Sequence, residues 1–528
     1  MNLNQLIKKG YFPREISPNF SSASLERELV NILPSIDTFD PIDTLNANGR
    51  INRVRNKISK CVNFTIPKVG SHRRRIGIPN PLHQIRLSKT ITDNWNDIVA
   101  FTNQSDISVT KLVVNSSNTG RSLEDPSFGD VEAEKVKRSV NANYLLKMDI
   151  ANFYGTIYTH SIPWALHSKP TAKSNRNRVH LFGNAIDEDS RKIQDGQTMG
   201  VPIGPDTSRI ISEIIATAID IEIQNSYPNV KGIRLVDDYY LYFNKLSDLE
   251  TVDSLIQRLF KEYELDPNYR KHATIEMPEI IQKSWSRILR KTRFSNSPKT
   301  QRSDLISFFD KAYKFSLKYP NDYVLRYAAS RIRQIVIHKS NFDLLEASLL
   351  KTMNYESKTI PFAIETLVAY HSISATLVNS PSLEESLNIL LLKHLELHNS
   401  FEIAWIIWSL KKFGLTMTEE CAEKVSEINN SVIALEALAL RDNGGIPLGL
   451  TTTLWETNLT QQGLYEENWL LAYEAVEKGW LTSATNYIAG DPFFNELSNR
   501  NVEFYDTNLD VYLDKVKAVE LSSIVMRD

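Results

Sequence analysis

The order of apolar and polar residues divides the chain into two parts. Up to about residue 295, short runs of β-branched and aromatic residues alternate with turns and helical segments. The stretch "RFSNSPKT" at 293–300 is rich in Ser, Asn and Pro and predicts a loop. Beyond it, apolar residues recur at three- and four-residue spacing, which is typical of helices. The pattern therefore predicts an α+β domain at residues 1–300 and an α-helical domain at residues 301–528.

Three helical segments in the second part resemble one another. They are "EIAWIIWSLKKFG" (402–414), "VIALEALALRDNG" (432–444) and "WLLAYEAVEKGW" (469–480). Aligning Ala404, Ala434 and Ala472 gives spacings of 30 and 38 residues, which suit stacked helix pairs of the HEAT type. Because the spacing is irregular, a plain helical bundle is the alternative to a HEAT-like repeat domain.

Two adjacent carboxylates lie between two predicted strands in "RLVDDYYLYF" (234–243). The flanking residues favour strands, so Asp237 and Asp238 fall at the turn of a β-hairpin. Aspartate is common in turns, and the pair alone does not indicate a function. A metal site at this turn would need a further carboxylate from elsewhere in the chain.

Asp149 supplies that carboxylate. It lies near the end of a predicted strand at 145–150, in mainly apolar company, where an unpaired charge is unusual. Carboxylates on adjacent strands can hold two divalent ions about 4 Å apart, as phosphoryl transfer requires. Mg²⁺ or Mn²⁺ suits carboxylate and phosphate oxygens. The sequence therefore predicts a two-metal centre.

A glycine- and proline-rich loop, "GQTMGVPIGP" (196–205), lies between the two Asp segments. Its glycines allow a base or a sugar to approach the backbone closely. Pro205 stands where a helix could begin, and the following isoleucines form an apolar helical face.

Charge is distributed unevenly along the 528 residues. Residues 1–300 carry 41 basic and 33 acidic side chains, and residues 301–528 carry 20 and 30. Unless this is ordinary surface variation, only the first part handles a polyanion. Cys61 and Cys421 lie far apart, and no signal-peptide core or membrane-length apolar run occurs, which indicates a cytoplasmic location.

Five segments resemble motifs of reverse transcriptases. "DIANFYGTI", "TMGVPIGP" and "LVDDYYLYF" have the order and spacing of motifs A, B and C, "RRRIGIPNPLHQIRLSKTI" (73–91) resembles the fingers motif, and "YELDPNYRKHATI" (263–275) resembles motif D. "GYFPREISPNF", "PIGPDTSRIISEI" and the helical C-terminal part are similar to abortive-infection polymerases, which are bacterial phage-defence proteins.

This resemblance implies a right-hand polymerase of fingers and palm followed by an α-helical repeat domain. It implies protein-primed, template-independent synthesis of single-stranded DNA from dNTPs with two Mg²⁺ or Mn²⁺ ions. The product would stay covalently attached to the protein. The implied setting is the bacterial cytoplasm, with a homo-oligomer, no membrane, and a phage protein as a possible trigger.

The resemblance also assigns residues. Asp149 and Asp237 would be metal ligands together with the backbone of Ile150, and Asp238 would be their catalytic partner. Tyr154 would exclude the 2′-hydroxyl of ribonucleotides by its bulk. The other predicted nucleotide-binding residues are Arg74, Arg75, Gly200, Pro202 and Lys271.

Tyr11 is the predicted priming nucleophile, because it is the single tyrosine in residues 1–143 and lies in the family-like "GYFPRE" stretch on a segment expected to be flexible. Packing of Tyr11 with Phe12 is the alternative.

Three positions depart from the usual motifs, namely Leu235, Met199 and Gly204. Met199 replaces a glutamine that holds the template strand, which disfavours copying of RNA. The alternatives are an RNA-templated reverse transcriptase of the retron or group II type, and an inactive palm-fold scaffold that binds nucleic acid or protein.

Overall fold

A computed structural model describes residues 1–54, 57–70, 72–117, 120–374 and 377–509. Within these ranges no helix combines the length and the apolar character needed to cross a membrane.

The first 143 residues form helices and two small hairpins. The helices are α1 (Leu3–Gly10), α2 (Ala23–Ile32), α3 (Ile36–Phe39), α4 (Pro81–Asp93), α5 (Trp95–Thr102) and α6 (Phe128–Arg138). The antiparallel hairpins are β1 (Thr44–Leu45) with β2 (Ile51–Asn52), and β3 (Val62–Pro67) with β4 (Arg73–Ile78). Asn80 caps the amide of Leu82 at the start of α4, where Pro81 suits the first turn.

A four-stranded antiparallel sheet follows. Its strands are β5 (Tyr144–Asp149), β6 (Lys231–Leu235), β7 (Asp238–Phe243) and β8 (Ala273–Glu276), in the order β6-β7-β5-β8. The helices of this part are α7 (Phe153–Thr156), α8 (Ser161–His167), α9 (Lys169–Ser174), α10 (Phe182–Lys192), α11 (Asp206–Ser226), α12 (Leu246–Glu262) and α13 (Ser284–Lys291).

The structure confirms the predicted strands around the Asp residues and the helix after Pro205. The β5 strand ends at Asp149, and Asp238 is the first residue of β7. Pro205 directly precedes α11, whose isoleucine face is buried against the sheet and its neighbours. The period-2 and helical patterns of the sequence therefore position the acidic residues correctly along the chain.

Residues after 297 are mainly helical. Their helices are α14 (Pro298–Lys318), α15 (Val324–Ile332), α16 (Phe342–Tyr355), α17 (Ile360–Ile373), α18 (Ser380–Glu396), α19 (Ser400–Phe413), α20 (Glu419–Ser426), α21 (Ser431–Asp442), α22 (Thr453–Glu456), α23 (Trp469–Glu477) and α24 (Pro492–Asn499). The three similar segments form α19, α21 and α23, which pack side by side in that order. HEAT-type stacking stays a prediction, and residues 510–528 of the predicted domain lie outside the described residues.

One buried cluster joins the beginning of the chain to these helices. Phe20 forms a β-bridge with Tyr505, and the carbonyl of Asn19 accepts the amide of Asp506. The same cluster contains the β3–β4 hairpin and apolar residues from α14 through α24. A second cluster lies between the four-stranded sheet and helices α11 and α12. The buried core therefore does not divide at residue 300.

Candidate functional site

Three carboxylates meet where β5 ends and β7 begins. The strand register pairs Asp149 with Asp238, and Asp237 lies in the turn between β6 and β7. One oxygen from each carboxylate lies within 4.8 Å of the other two. Because Mg²⁺ and Mn²⁺ prefer carboxylate oxygens, this donor set fits the expected ions.

Burial, and then crowding of like charges, raises the pKa values of two carboxyls in this cluster. Burial is the main cause that raises the pKa of Asp238 to about 7, followed by its hydrogen bond with Asp149 and the charge of Asp237. Burial and then the charge of Asp149 raise the pKa of Asp237. Neighbouring carboxylates disfavour one another's ionised form, and a cation between them relieves that repulsion. The cluster is therefore electrostatically suited to bind a cation.

A strained turn presents Asp237. Val236 has a φ of 59°, in the left-handed region that β-branched residues rarely adopt. Its amide donates to Oγ1 of Thr110 at 3.3 Å, and its carbonyl accepts a hydrogen bond from Arg234 at 2.9 Å. Strain of this kind costs about 1–3 kcal/mol and persists only where the surroundings enforce it. Thr110 and Arg234 therefore help to fix the turn.

Arg234 belongs to a buried polar network that the sequence analysis missed. Its guanidinium donates to Glu213 and Asp220 of α11, while Ser105 donates to Asp220 at 2.6 Å. Glu213 and Asp220 are seven residues apart on an otherwise apolar helical face. This pattern could have revealed the network from the sequence. Two buried carboxylates on one face require a cationic partner.

Asp149 has two polar partners on the chain between α12 and β8. Its side chain is 4 % exposed; Asn268 donates to Oδ1 at 2.7 Å, and the ammonium of Lys271 forms an ion pair with Oδ2. Lys271 also lies 3.4 Å from Oδ1 of Asp238. Lys271 was predicted to bind nucleotide, and the structure places it on the carboxylates themselves. Asn268 was not predicted, although it lies in the motif D segment.

The backbone around Ile150 is held by the same segment. The amide of Asn268 donates to the carbonyl of Asp149, and the amide of Ala151 donates to the carbonyl of Asp266. Ile150 lies between these two bonds, and its own carbonyl takes part in neither. Metal binding by this carbonyl stays a prediction.

Tyr154 and the glycine- and proline-rich loop lie together beside the carboxylates. The carbonyl of Tyr154 accepts the amide of Val201, and the amide of Gly200 donates to the carbonyl of Ile157. Gly200 has a φ of 85°, and a Cβ there would lie 3.0 Å from the carbonyl oxygen of Gly155. The site therefore requires glycine at position 200.

The ring of Tyr154 is held in place through its hydroxyl group. Its hydroxyl accepts a hydrogen bond from Ser212 at 3.2 Å. Burial raises the pKa of Tyr154, and the charge of Asp237 contributes in the same direction. Tyr154 therefore interacts with Asp237 and has a defined orientation. A side chain that excludes the 2′-hydroxyl of a ribonucleotide needs both properties.

The β3–β4 hairpin contacts the glycine- and proline-rich loop. It also carries the two arginines that are predicted to bind nucleotide, on its opposite faces. The amide of Gly77 donates to the carbonyl of Ile203, and a Cβ on Gly77 would lie 3.0 Å from Cβ of Pro202. Alternation along β4 places Arg74 and Arg75 on opposite faces. Arg74 acts on the pKa of Asp237, whereas Arg75 donates to Oδ1 of Asn63.

Arg121 connects the loop to the N-terminal segment. It donates to the carbonyls of Phe12 and Gly204, and it pairs with Asp206 at 2.6 Å. The N-terminal segment therefore supports the loop that faces the site.

Tyr11 is part of that packed segment. Its side chain is fully buried, its hydroxyl donates to the carbonyl of Pro79 at 2.5 Å, and its ring packs on Phe12 and Phe504. Burial raises the pKa of Tyr11 well above its usual value. The expectation of a flexible segment is therefore wrong: apolar contacts and a hydrogen bond hold Tyr11 in the packing role.

No protein-family model and no curated protein matches this chain. Among solved structures, apo telomerase from Candida tropicalis is similar over 77 % of this chain and 74 % of its own, with 14 % identity and a TM-score of 0.33. Telomerase from Candida albicans, in complex with a fragment of telomeric RNA, is similar over 66 % and 67 %, with 12 % identity and a TM-score of 0.31.

Proposed function

We propose that the protein is a nucleotidyltransferase that adds dNTPs to a hydroxyl group, as a DNA polymerase does. In this reaction the hydroxyl group loses its proton to water while its oxygen bonds to the α-phosphorus, the α–β phosphoanhydride bond breaks, and pyrophosphate leaves. The observation that carries the proposal is the placement of Asp149, Asp237 and Asp238 within 4.8 Å of one another on paired strands and their turn.

The carboxylates and the carbonyl of Ile150 would hold the metal ions. Divalent ions at such a centre activate the attacking hydroxyl and stabilise the leaving oxygen. Tyr154 would position the deoxyribose and reject a 2′-hydroxyl. Arg74, whose charge acts to lower the pKa of Asp237, would bind the triphosphate. Arg75 lies on the opposite face of β4 and is better suited to hold the hairpin through Asn63.

Protein priming, independence from a template and a role in abortive infection complete the proposal. They rest on the motif resemblance and on Met199, which is 51 % exposed and has no amide to hold a template strand. Tyr11 qualifies as the primer only if residues 1–20 leave their packed position, because its oxygen is buried.

Incorporation of labelled dNTPs by the full-length protein, without template or primer, tests the activity. Asp149→Asn should reduce incorporation on the order of a thousandfold, since a lost metal ligand costs several kcal/mol in barrier. Asp266→Asn, an exposed change nearby, is the matched control. Undiminished incorporation by Asp149→Asn would contradict the proposal. Nuclease treatment followed by mass spectrometry tests whether DNA is attached to the protein.

A further inference from the structure

The opening of the site is defined here by four cations, two of which interact electrostatically with its carboxylates. Among the described residues none of the four forms an ion pair. Lys68 and Arg74 belong to the β3–β4 hairpin, and Arg326 and Lys358 come from the helical part. The neighbouring Arg73, in contrast, is paired with Glu402 of α19 at 2.7 Å. Cations left unpaired beside one another are a characteristic of polyanion sites.

Fixed contacts bring the helical part to this opening. Besides the Arg73 pair, the amide of Thr65 donates to Oγ of Ser400, so the hairpin is docked on α19. The backbone amide of Val69 and the charge of Arg74 both act on the pKa of Tyr323, which burial raises. Tyr323 directly precedes α15, so the start of this helix lies against the end of the hairpin.

A second connection positions the cations of the helical part. The carboxylate of Glu356 accepts the amides of Leu325 and Arg326, each at 3.2 Å, and thereby joins the start of α15 to the turn before α17. From this turn, the ammonium of Lys358 lies 4.1 Å from the centre of the Tyr323 ring. Arg326 lies 5.4 Å from the ring of Phe362. Both cations are therefore supported by aromatic rings.

The charges of these cations act on one another and on the carboxylates. Burial and the charges of Arg74 and Lys271 lower the pKa of Lys68, on which Asp149 and Asp237 act in the opposite direction. Burial, followed by the charges of Arg326 and Arg74, lowers the pKa of Lys358 to about 8. Mutual repulsion of this kind is relieved by a bound anion.

Acidic neighbours do not cancel this charge. Burial raises the pKa of Glu356 to about 7, so its negative charge is incomplete near neutrality. The charge of Glu15 also acts on Lys358, and Glu15 lies 3.9 Å from Arg14, which is itself 3.4 Å from Asp125. The four cations therefore outnumber Glu15 and Glu356, the two acidic residues that act on Lys358, although the helical part as a whole is acidic.

We propose that Arg326 and Lys358 bind phosphate groups of the DNA strand that leaves the site. This inference rests on the proposed function and departs from the expectation that only residues 1–300 handle a polyanion. The charge of Arg74 acts on the pKa values of both Lys358 and Asp237, so Arg74 would meet the triphosphate while Arg326 and Lys358 meet phosphates further out. Phosphate contacts of this kind do not depend on base sequence.

Binding of fluorescent oligo(dT) and of dTTP to the full-length protein in EDTA tests the assignment, because no chemistry occurs without divalent ions. Lys358→Gln and Arg326→Gln should each weaken oligo(dT) binding several-fold. Each should also reduce the slope of log affinity against log salt by about 0.7, the value for one phosphate contact on a single strand. Lys314→Gln, which removes an exposed charge on α14, should change neither quantity.

The outcomes separate the possible sources of phosphate. Weaker binding of oligo(dT) with unchanged dTTP binding supports the strand. Weaker binding of dTTP alone overturns the strand assignment in favour of the triphosphate, and unchanged binding of both overturns the site. Because these measurements need no turnover, they stand apart from the proposed function: a wild type that incorporates no dNTP contradicts that function whether or not the variants bind oligo(dT) weakly.

Discussion

The ammonium of Lys271 forms an ion pair with Asp149, a carboxylate that is expected to bind the metal ions. The positive charge of this lysine therefore neutralises the carboxylates before a metal ion binds. We predict that Lys271→Met raises the affinity for Mn²⁺ about five- to tenfold in the absence of nucleotide, as measured by titration calorimetry. Arg270→Met removes a charge from the adjacent exposed residue and should leave the affinity unchanged.

The same variant should lose nucleotide incorporation if Lys271 moves to the phosphates during turnover. Weaker Mn²⁺ binding by Lys271→Met would instead show that the lysine organises the carboxylates for the metal ion.

Tyr154 provides a test of sugar selection. Tyr154→Ala should lower the preference for dUTP over UTP about 5- to 30-fold, because loss of the ring removes a steric penalty of about 1–2 kcal/mol. Tyr154→Phe keeps the bulk and loses only the hydrogen bond from Ser212, so its preference should remain near that of the wild type. Equal selectivity of the Ala variant and the wild type, measured as a ratio of incorporation efficiencies, would remove Tyr154 from this role.

Tyr11→Phe separates packing from priming. The change leaves the carbonyl of Pro79 without its donor and should lower the free energy of unfolding by about 1–2 kcal/mol, as measured in urea. Tyr269→Phe, at an exposed tyrosine, should have no effect on stability. We expect DNA attachment to persist in Tyr11→Phe, since the hydroxyl is buried; loss of attached DNA without loss of stability would identify Tyr11 as the primer.

The buried carboxyl group of Glu474 should make the thermal stability of the protein depend on pH. Burial raises the pKa of this carboxyl to about 8 in the folded protein, against about 4.5 for an ordinary glutamate. The folded state therefore binds this proton more tightly than the unfolded state does. The contribution of Glu474 to the free energy of unfolding is full below pH 4.5 and is lost as pH rises through 8. The thermal midpoint of Glu474→Gln should fall less between pH 5 and pH 8 than that of the wild type.

Glu467→Gln, an exposed change nearby, should have the pH profile of the wild type. An identical profile for Glu474→Gln would show that another group is responsible.

The sequence predicted the acidic centre because local patterns define it. Runs of β-forming residues placed Asp149 near the end of one strand and Asp237 and Asp238 at the turn between two others, and the pairing of Asp149 with Asp238 then follows from the sheet. The burial of Tyr11 against Phe504 could not be predicted in the same way, because no local pattern specifies a contact between residues so far apart. The ion pair of Lys271 likewise depends on the path of a loop, which tertiary contacts decide.

Because a chain is synthesised from its N-terminus, the contact between Asn19 and Asp506 can form only late in translation. These residues are 487 positions apart. At roughly 5–20 residues per second, a ribosome needs about 25–100 s to make the second after the first. Throughout that interval Phe12 lacks its contact with Phe504, and Phe20 lacks its contact with Tyr505. A chain released early would contain all three carboxylates but would lack this packing around the N-terminal segment.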